Sequence, residues 1–127
     1  MSTPLDHRTL EGAYLLKSAQ EATVRVARAW LLRFLRWGGG ASNRLLVGVL
    51  FEDIGLRLSH ATVDECAAWL ADQGYIRIEV FEITTAYRLT RLGDDVARGI
   101  VVNPGVEPIR LCDVEADETV INGLRAR

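Results

Sequence analysis

The sequence predicts a mainly α-helical fold carrying one small β-hairpin, and three observations point there. A proline-free run from Thr9 to Trp37 is rich in helix formers, two later apolar stripes of helical spacing each end at a glycine, and a single stretch, Tyr75 to Ile83, alternates with period two. At 127 residues, with 49% hydrophobic and 25% charged side chains, the chain is long and apolar enough for one domain with its own core. It lacks an apolar run long enough to span a bilayer and a secretory-type N-terminus, so the sequence reads as cytoplasmic, with no membrane role.

In the first helix, at about 100° per residue, Lys17, Glu21, Arg25, Arg28, Arg33 and Arg36 fall within an arc of about 160°. Val26, Ala27, Trp30, Leu31, Phe34 and Leu35 cover the other side, and Gly38-Gly39-Gly40 ends the run. Such a length exceeds that of an ordinary globular helix, so a break between Ser18 and Ala22 is an open alternative. Ser42 or Asn43 then offers an N-cap to a second helix bearing Leu45, Leu46, Val49, Leu50 and Ile54, stopped by Gly55. Ser59 caps a third, with Thr62-Val63-Asp64-Glu65 as an alternative capping box. Its stripe is Val63, Cys66, Ala67 and Leu70, and Gly74 ends it. A strand from Tyr75 to Ile83 and a shorter one from Ala86 to Leu89 make the hairpin, and Thr90 caps a fourth helix to about Arg98. Asn103-Pro104-Gly105 and Pro108 break the C-terminal part of the chain, which becomes acidic at Asp113, Glu115, Asp117 and Glu118.

Helix, helix, tight turn, helix, hairpin, short helix is the order of a winged helix-turn-helix, here with an N-terminal helical extension. The expected organisation is an extension over residues 1–22, the winged unit over 23–99 and an extended acidic tail over 100–127. Trp69-Leu70-Ala71-Asp72-Gln73-Gly74-Tyr75-Ile76 matches the end of a third helix entering the wing. Leu89-Thr90-Arg91-Leu92-Gly93-Asp94-Asp95-Val96-Ala97-Arg98-Gly99 matches the next strand and its cap. With Val102-Asn103-Pro104-Gly105-Val106, the chain over roughly residues 24–108 resembles small winged-helix proteins, of ArsR/MarR type, encoded in Mu-like phages and prophages. The resemblance implies a DNA-binding transcriptional regulator, with the third helix in the major groove and the wing beside the backbone. The site residues would be Arg44, Arg57, His60 and Thr62 around the helix-turn-helix, Arg88 and Arg91 at the wing, and Arg25 and Arg28 as backbone contacts.

Charge distribution bears on that implication. Residues 1–44 carry seven basic side chains against three acidic ones, residues 45–98 five against nine, and residues 99–127 three against five. The first third is therefore the only polyanion surface in sight. The third helix, Ser59 to Gln73, has no arginine or lysine and carries Asp64, Glu65 and Asp72, leaving His60, Thr62 and Gln73 as its groove readers. The alternative is a protein-interaction module whose acidic third helix meets a basic partner. A further reading has the run Asp113 to Glu118 lying along the arginines, in the same subunit or across a dimer, and masking them. A homodimer is expected through the N-terminal helix, whose apolar face exceeds what a small winged core covers.

Enzymatic constellations are lacking in the sequence. Gly38-Gly39-Gly40 has no following lysine and hydroxyl residue of a phosphate loop, and Glu52-Asp53 and Asp94-Asp95 point apart on helices. Cys66, Cys112, His7 and His60 are too few and too scattered for a metal site, and no cofactor is implied. Cys66 reads as a small buried hydrophobe and Cys112 as a more exposed thiol. Trp30 reads as a core or dimer contact rather than a base-stacking platform.

Overall fold

A computed structural model describes residues 10–126; His7, Arg8 and the first part of the expected extension lie outside them. The chain is mainly helical with one three-stranded antiparallel sheet. Helix α1, Leu10–Trp37, is a single 28-residue helix. The break between Ser18 and Ala22 does not occur: Thr23 donates its hydroxyl back to the Ala19 carbonyl at 2.9 Å, and neither glycine nor proline interrupts the backbone there. The expected boundary at residue 22 thus falls inside one helix. Its end is set by glycines, with Gly39 and Gly40 at φ of 76° and 103°, so the chain reverses without a Cβ penalty.

Strand β1, Ala41–Asn43, has no counterpart among the sequence-based expectations; it pairs with β3. Asn43 ends it and caps α2, Arg44–Asp53, accepting from the Leu46 amide at 2.8 Å. Ser59 caps α3, His60–Asp72, accepting from Thr62 N–H at 3.1 Å, so the alternative box at Thr62 is not used. The hairpin is β2, Ile76–Val80, and β3, Thr85–Leu89, in register Ile78 opposite Tyr87, and the sheet order is β1-β3-β2. The first hairpin strand stops at Val80, three residues short of expectation. Phe81 N–H donates to Thr84 O at 2.8 Å and turns the chain over Glu82 and Ile83. Thr90 caps α4, Arg91–Ala97. Gly93 is obligatory, since a Cβ there would run into the Tyr75 carbonyl.

The extended acidic tail is corrected: residues Leu111–Arg125 form α5, which packs on α1. Asp113 accepts from the Arg110 amide at 3.0 Å at its start, and its early carboxylates suit the positive end of a helix. Its inward line is Val114, Asp117 and Ile121. The core centres on Leu31, Leu32, Phe34 and Leu35 of α1 with Val47, Phe51, Leu70 and Tyr87. Phe34 is the hub of its aromatic part, with ring centroids 5.0 Å from Phe51, 5.2 Å from Trp37 and 5.5 Å from Trp30.

Candidate functional site

The arginines of α1 are the densest positive feature of the sequence, and each of the four has a partner inside the chain. Arg33 is 8% exposed and holds the fully buried Asp117 of α5 through two bonds, Nε to Oδ2 at 2.8 Å and Nη2 to Oδ1 at 2.9 Å. Asp117 Oδ1 also accepts from the Trp37 indole at 2.8 Å, and the Arg33 guanidinium lies 3.9 Å over the Trp30 ring. Arg36, one turn on, pairs with Glu118 of α5 and, at 3.6 Å, with Asp94 of α4. Arg28 stacks 3.9 Å over Trp69 of α3 and donates to the Gly105 carbonyl at 3.0 Å. Gly105 has no room for a side chain because a Cβ there would strike the Trp69 ring. Burial lowers the pKa of Arg28, although an arginine so shifted stays charged at neutral pH. Arg25, half exposed, faces Glu107 at 3.7 Å. The masking of arginines by the acidic run is thus present within one chain for Arg33 and Arg36, whereas residues 105–107 engage Arg25 and Arg28.

The other sequence-derived site residues are dispersed. Arg44 sits 3.3 Å from Asp64, which also accepts the Tyr87 hydroxyl at 3.3 Å. Arg88 pairs with Glu79 across the hairpin at 3.0 Å. Thr62 shares a 2.9 Å hydrogen bond with Ser59 in the cap of α3. His60 is exposed at the first position of α3, Arg57 is exposed in the turn before it, and Arg91 is exposed at the start of α4. Arg57 and Arg91 form no ion pair among the described residues. The eight residues therefore do not converge into one cationic face; five of them, Arg25, Arg28, Arg44, Thr62 and Arg88, are tied to neighbours.

No protein family, curated protein or solved structure matches this chain. Its own surface is therefore the guide to what it does. Among the described residues no three His, Cys, Asp or Glu side chains group as metal ligands, and no helix is long and apolar enough to cross a membrane.

Sequence reasoning misses a surface on α2. Leu45, Leu46 and Val49 are all exposed, Leu45 by 72%. A groove of about 210 Å³ runs between this helix and the start of α3, its apolar lining Leu45, Val49, Leu58 and Val63 and its polar lining Arg44, Glu52 and His60. The α2–α3 segment, residues 44–72, carries Glu52, Asp53, Asp64, Glu65 and Asp72 against Arg44 and Arg57. A signal for it exists in the sequence: the apolar residues of α2 are too many for one stripe, because a ten-residue helix has one inward side and Val47 and Phe51 occupy it. The α1 apolar face that suggests a dimer is largely covered by the chain itself. Ala27, Leu31 and Phe34 are buried against the other elements, and Leu15 and Leu16 remain exposed nearer its start.

Proposed function

We propose that residues 23–99 are a winged helix-turn-helix unit serving as a protein-interaction module, whose α2–α3 face receives a partner segment bearing basic and apolar side chains. The layout is supported by the element order and by β1, which joins the hairpin as a third strand and carries the chain straight into α2. The observation that carries the use is the fate of the α1 arginines. Affinity for a polyanion comes mainly from unpaired cations that neutralise phosphates, and Arg25, Arg28, Arg33 and Arg36 are engaged by the chain's own carboxylates and carbonyl groups. What faces solvent on α2 and α3 is largely apolar and acidic, Leu45, Leu46, Val49, Glu52, Asp53, Asp64 and Glu65 beside Arg44 and His60, which suits an amphipathic basic segment.

The second reading is the DNA-binding regulator of phage or prophage origin that the resemblance implies. It is favoured by Arg57 and Arg91, exposed and without an ion pair among the described residues, and by His60 at the head of α3. The test is a pair of titrations at about 50 and 200 mM salt, against random duplex DNA and against an amphipathic arginine–leucine peptide, with several phosphate contacts costing orders of magnitude between the two salts. The module reading expects no duplex binding at the lower salt, and peptide binding weakened by Glu52→Lys and Glu65→Lys. Salt-sensitive duplex binding lost on Arg57→Glu would replace it with the second reading.

A further inference from the structure

The outer edge of β2 is unpaired among the described residues, because β2 is the last strand in the order β1-β3-β2. The hairpin's own bonds fix where its backbone groups point. Phe81 N–H donates to Thr84 O, and Thr90 N–H donates to Tyr75 O at 3.0 Å. The odd-numbered residues of β2 therefore exchange bonds with β3, and Ile76, Ile78 and Val80 direct their N–H and C=O groups outward. Such an edge is a template for another strand, and Ile-Arg-Ile-Glu-Val has neither proline nor lysine to blunt it. Exposed apolar side chains run from Ile78 to the hairpin tip, with Val80 78% and Ile83 94% exposed.

The strand's own sequence identifies what covers it. Turned antiparallel about Ile78, a second copy sets Ile78 against Ile78 and Ile76 against Val80 as bond-exchanging pairs, the residues whose backbone groups already point outward. The same register sets Arg77 against Glu79 on both sides of the two-fold axis. Sliding the pairing to the next register of the same parity, in either direction, would instead set Arg77 against Arg77 or Glu79 against Glu79, so charge selects one alignment. Arg77 has reason to take it. Within one chain it lies directly opposite Arg88 on β3 and forms no ion pair among the described residues. Glu79 binds Arg88 through Oε1 and retains a second oxygen for the other copy's Arg77.

We propose that this chain forms a two-fold dimer by antiparallel pairing of its β2 edges about Ile78, closing a continuous six-stranded sheet. The proposal rests on the sheet edge alone and stands whether or not the α2–α3 face binds a partner. The informative variant is Arg77→Glu. Within the chain it sets a carboxylate opposite Arg88 and keeps the hairpin, whereas across the axis it sets that carboxylate against Glu79. Sedimentation equilibrium over the micromolar range should find the unaltered chain dimeric. It should find the dissociation constant raised about tenfold or more by Arg77→Glu. The double variant Arg77→Glu/Glu79→Arg, which exchanges the charges, should restore the dimer, with circular dichroism reporting that each variant is folded. A monomeric chain throughout overturns the proposal. So does a dimer indifferent to Arg77→Glu, which would move the contact to another surface such as Leu15 and Leu16 of α1, and so does failure of the double variant to re-associate.

Discussion

Replacing Asp117 by alanine removes the carboxylate at the centre of the α1–α5 contact. Asp117 is fully buried and Arg33 nearly so, and the pair is joined by two short bonds, with the Trp37 indole as a third donor to the same carboxylate. Breaking a buried ion pair by deleting one member costs about 3–5 kcal/mol, because the remaining charge stays desolvated. The orphaned indole N–H adds about 1 kcal/mol or more. Opposing this, α5 can peel away and let water reach Arg33, which limits the loss to what docking of α5 contributes. The expected destabilisation is therefore about 4 kcal/mol, a large part of the roughly 5–15 kcal/mol that holds an average domain together. Urea denaturation followed by tryptophan fluorescence reads it directly, since Trp30 and Trp37 border the pair. The companion variant Arg33→Met/Asp117→Leu, with no charge left to strand, should recover most of the loss. A cost below about 1 kcal/mol for Asp117→Ala, the range of an exposed ion pair, would refute the reasoning.

Gly93→Ala forces a Cβ into the Tyr75 carbonyl and should cost at least about 2 kcal/mol in the same assay, whereas Gly48→Ala, with open space around it, should be neutral or stabilising. Burial, followed by the nearby Asp64 charge, pushes the Tyr87 hydroxyl up to about 12. Its neutral form is thus favoured by folding, so its contribution is complete below the ordinary tyrosine value near pH ~10 and is lost as pH rises towards 12. Tyr87→Phe should flatten that alkaline limb of the stability curve, and an unchanged limb would assign it to another group. Cys112, exposed on α5, should react at once with a thiol reagent, while Cys66, buried and with its thiol pKa raised mainly by that burial, should react only on unfolding. Equal rates would contradict the packing of α3.

The features legible in the sequence are local. Asn43, Ser59 and Thr90 cap helices because their side chains reach amides three residues on, and Gly55 and Gly74 end helices at positive φ; both effects are contained in a few neighbouring residues. The two faces of α1 are legible for the same reason, through the helical period. Features outside that reach depend on distant partners. Strand β1 is three residues of ordinary sequence whose only reason to be extended is Ala86–Arg88, more than forty positions later. The acidic run of α5 has the composition of a solvated tail, and only Arg33 and Trp37, 84 and 80 positions away, make Asp117 a buried residue. The candidate site suffers most from this. A stripe of arginines reads as a binding surface until the carboxylates that neutralise it are placed beside it, and spacing along one helix carries no information about them. The α2 face errs in the other direction, because apolar character alone does not bury Leu45 and Val49.

The exchange rate of the Arg33 Nε proton, measured by NMR with the exposed Arg57 as internal reference, tests most directly whether the cationic face of α1 is closed to outside anions. Bonded to Asp117 and screened by α5, that proton should exchange far more slowly than its Arg57 counterpart, and the protection should vanish in Asp117→Ala. Equal exchange at the two arginines in the unaltered chain would mean that the guanidinium is free in solution, and the α1 stripe would again be available to nucleic acid.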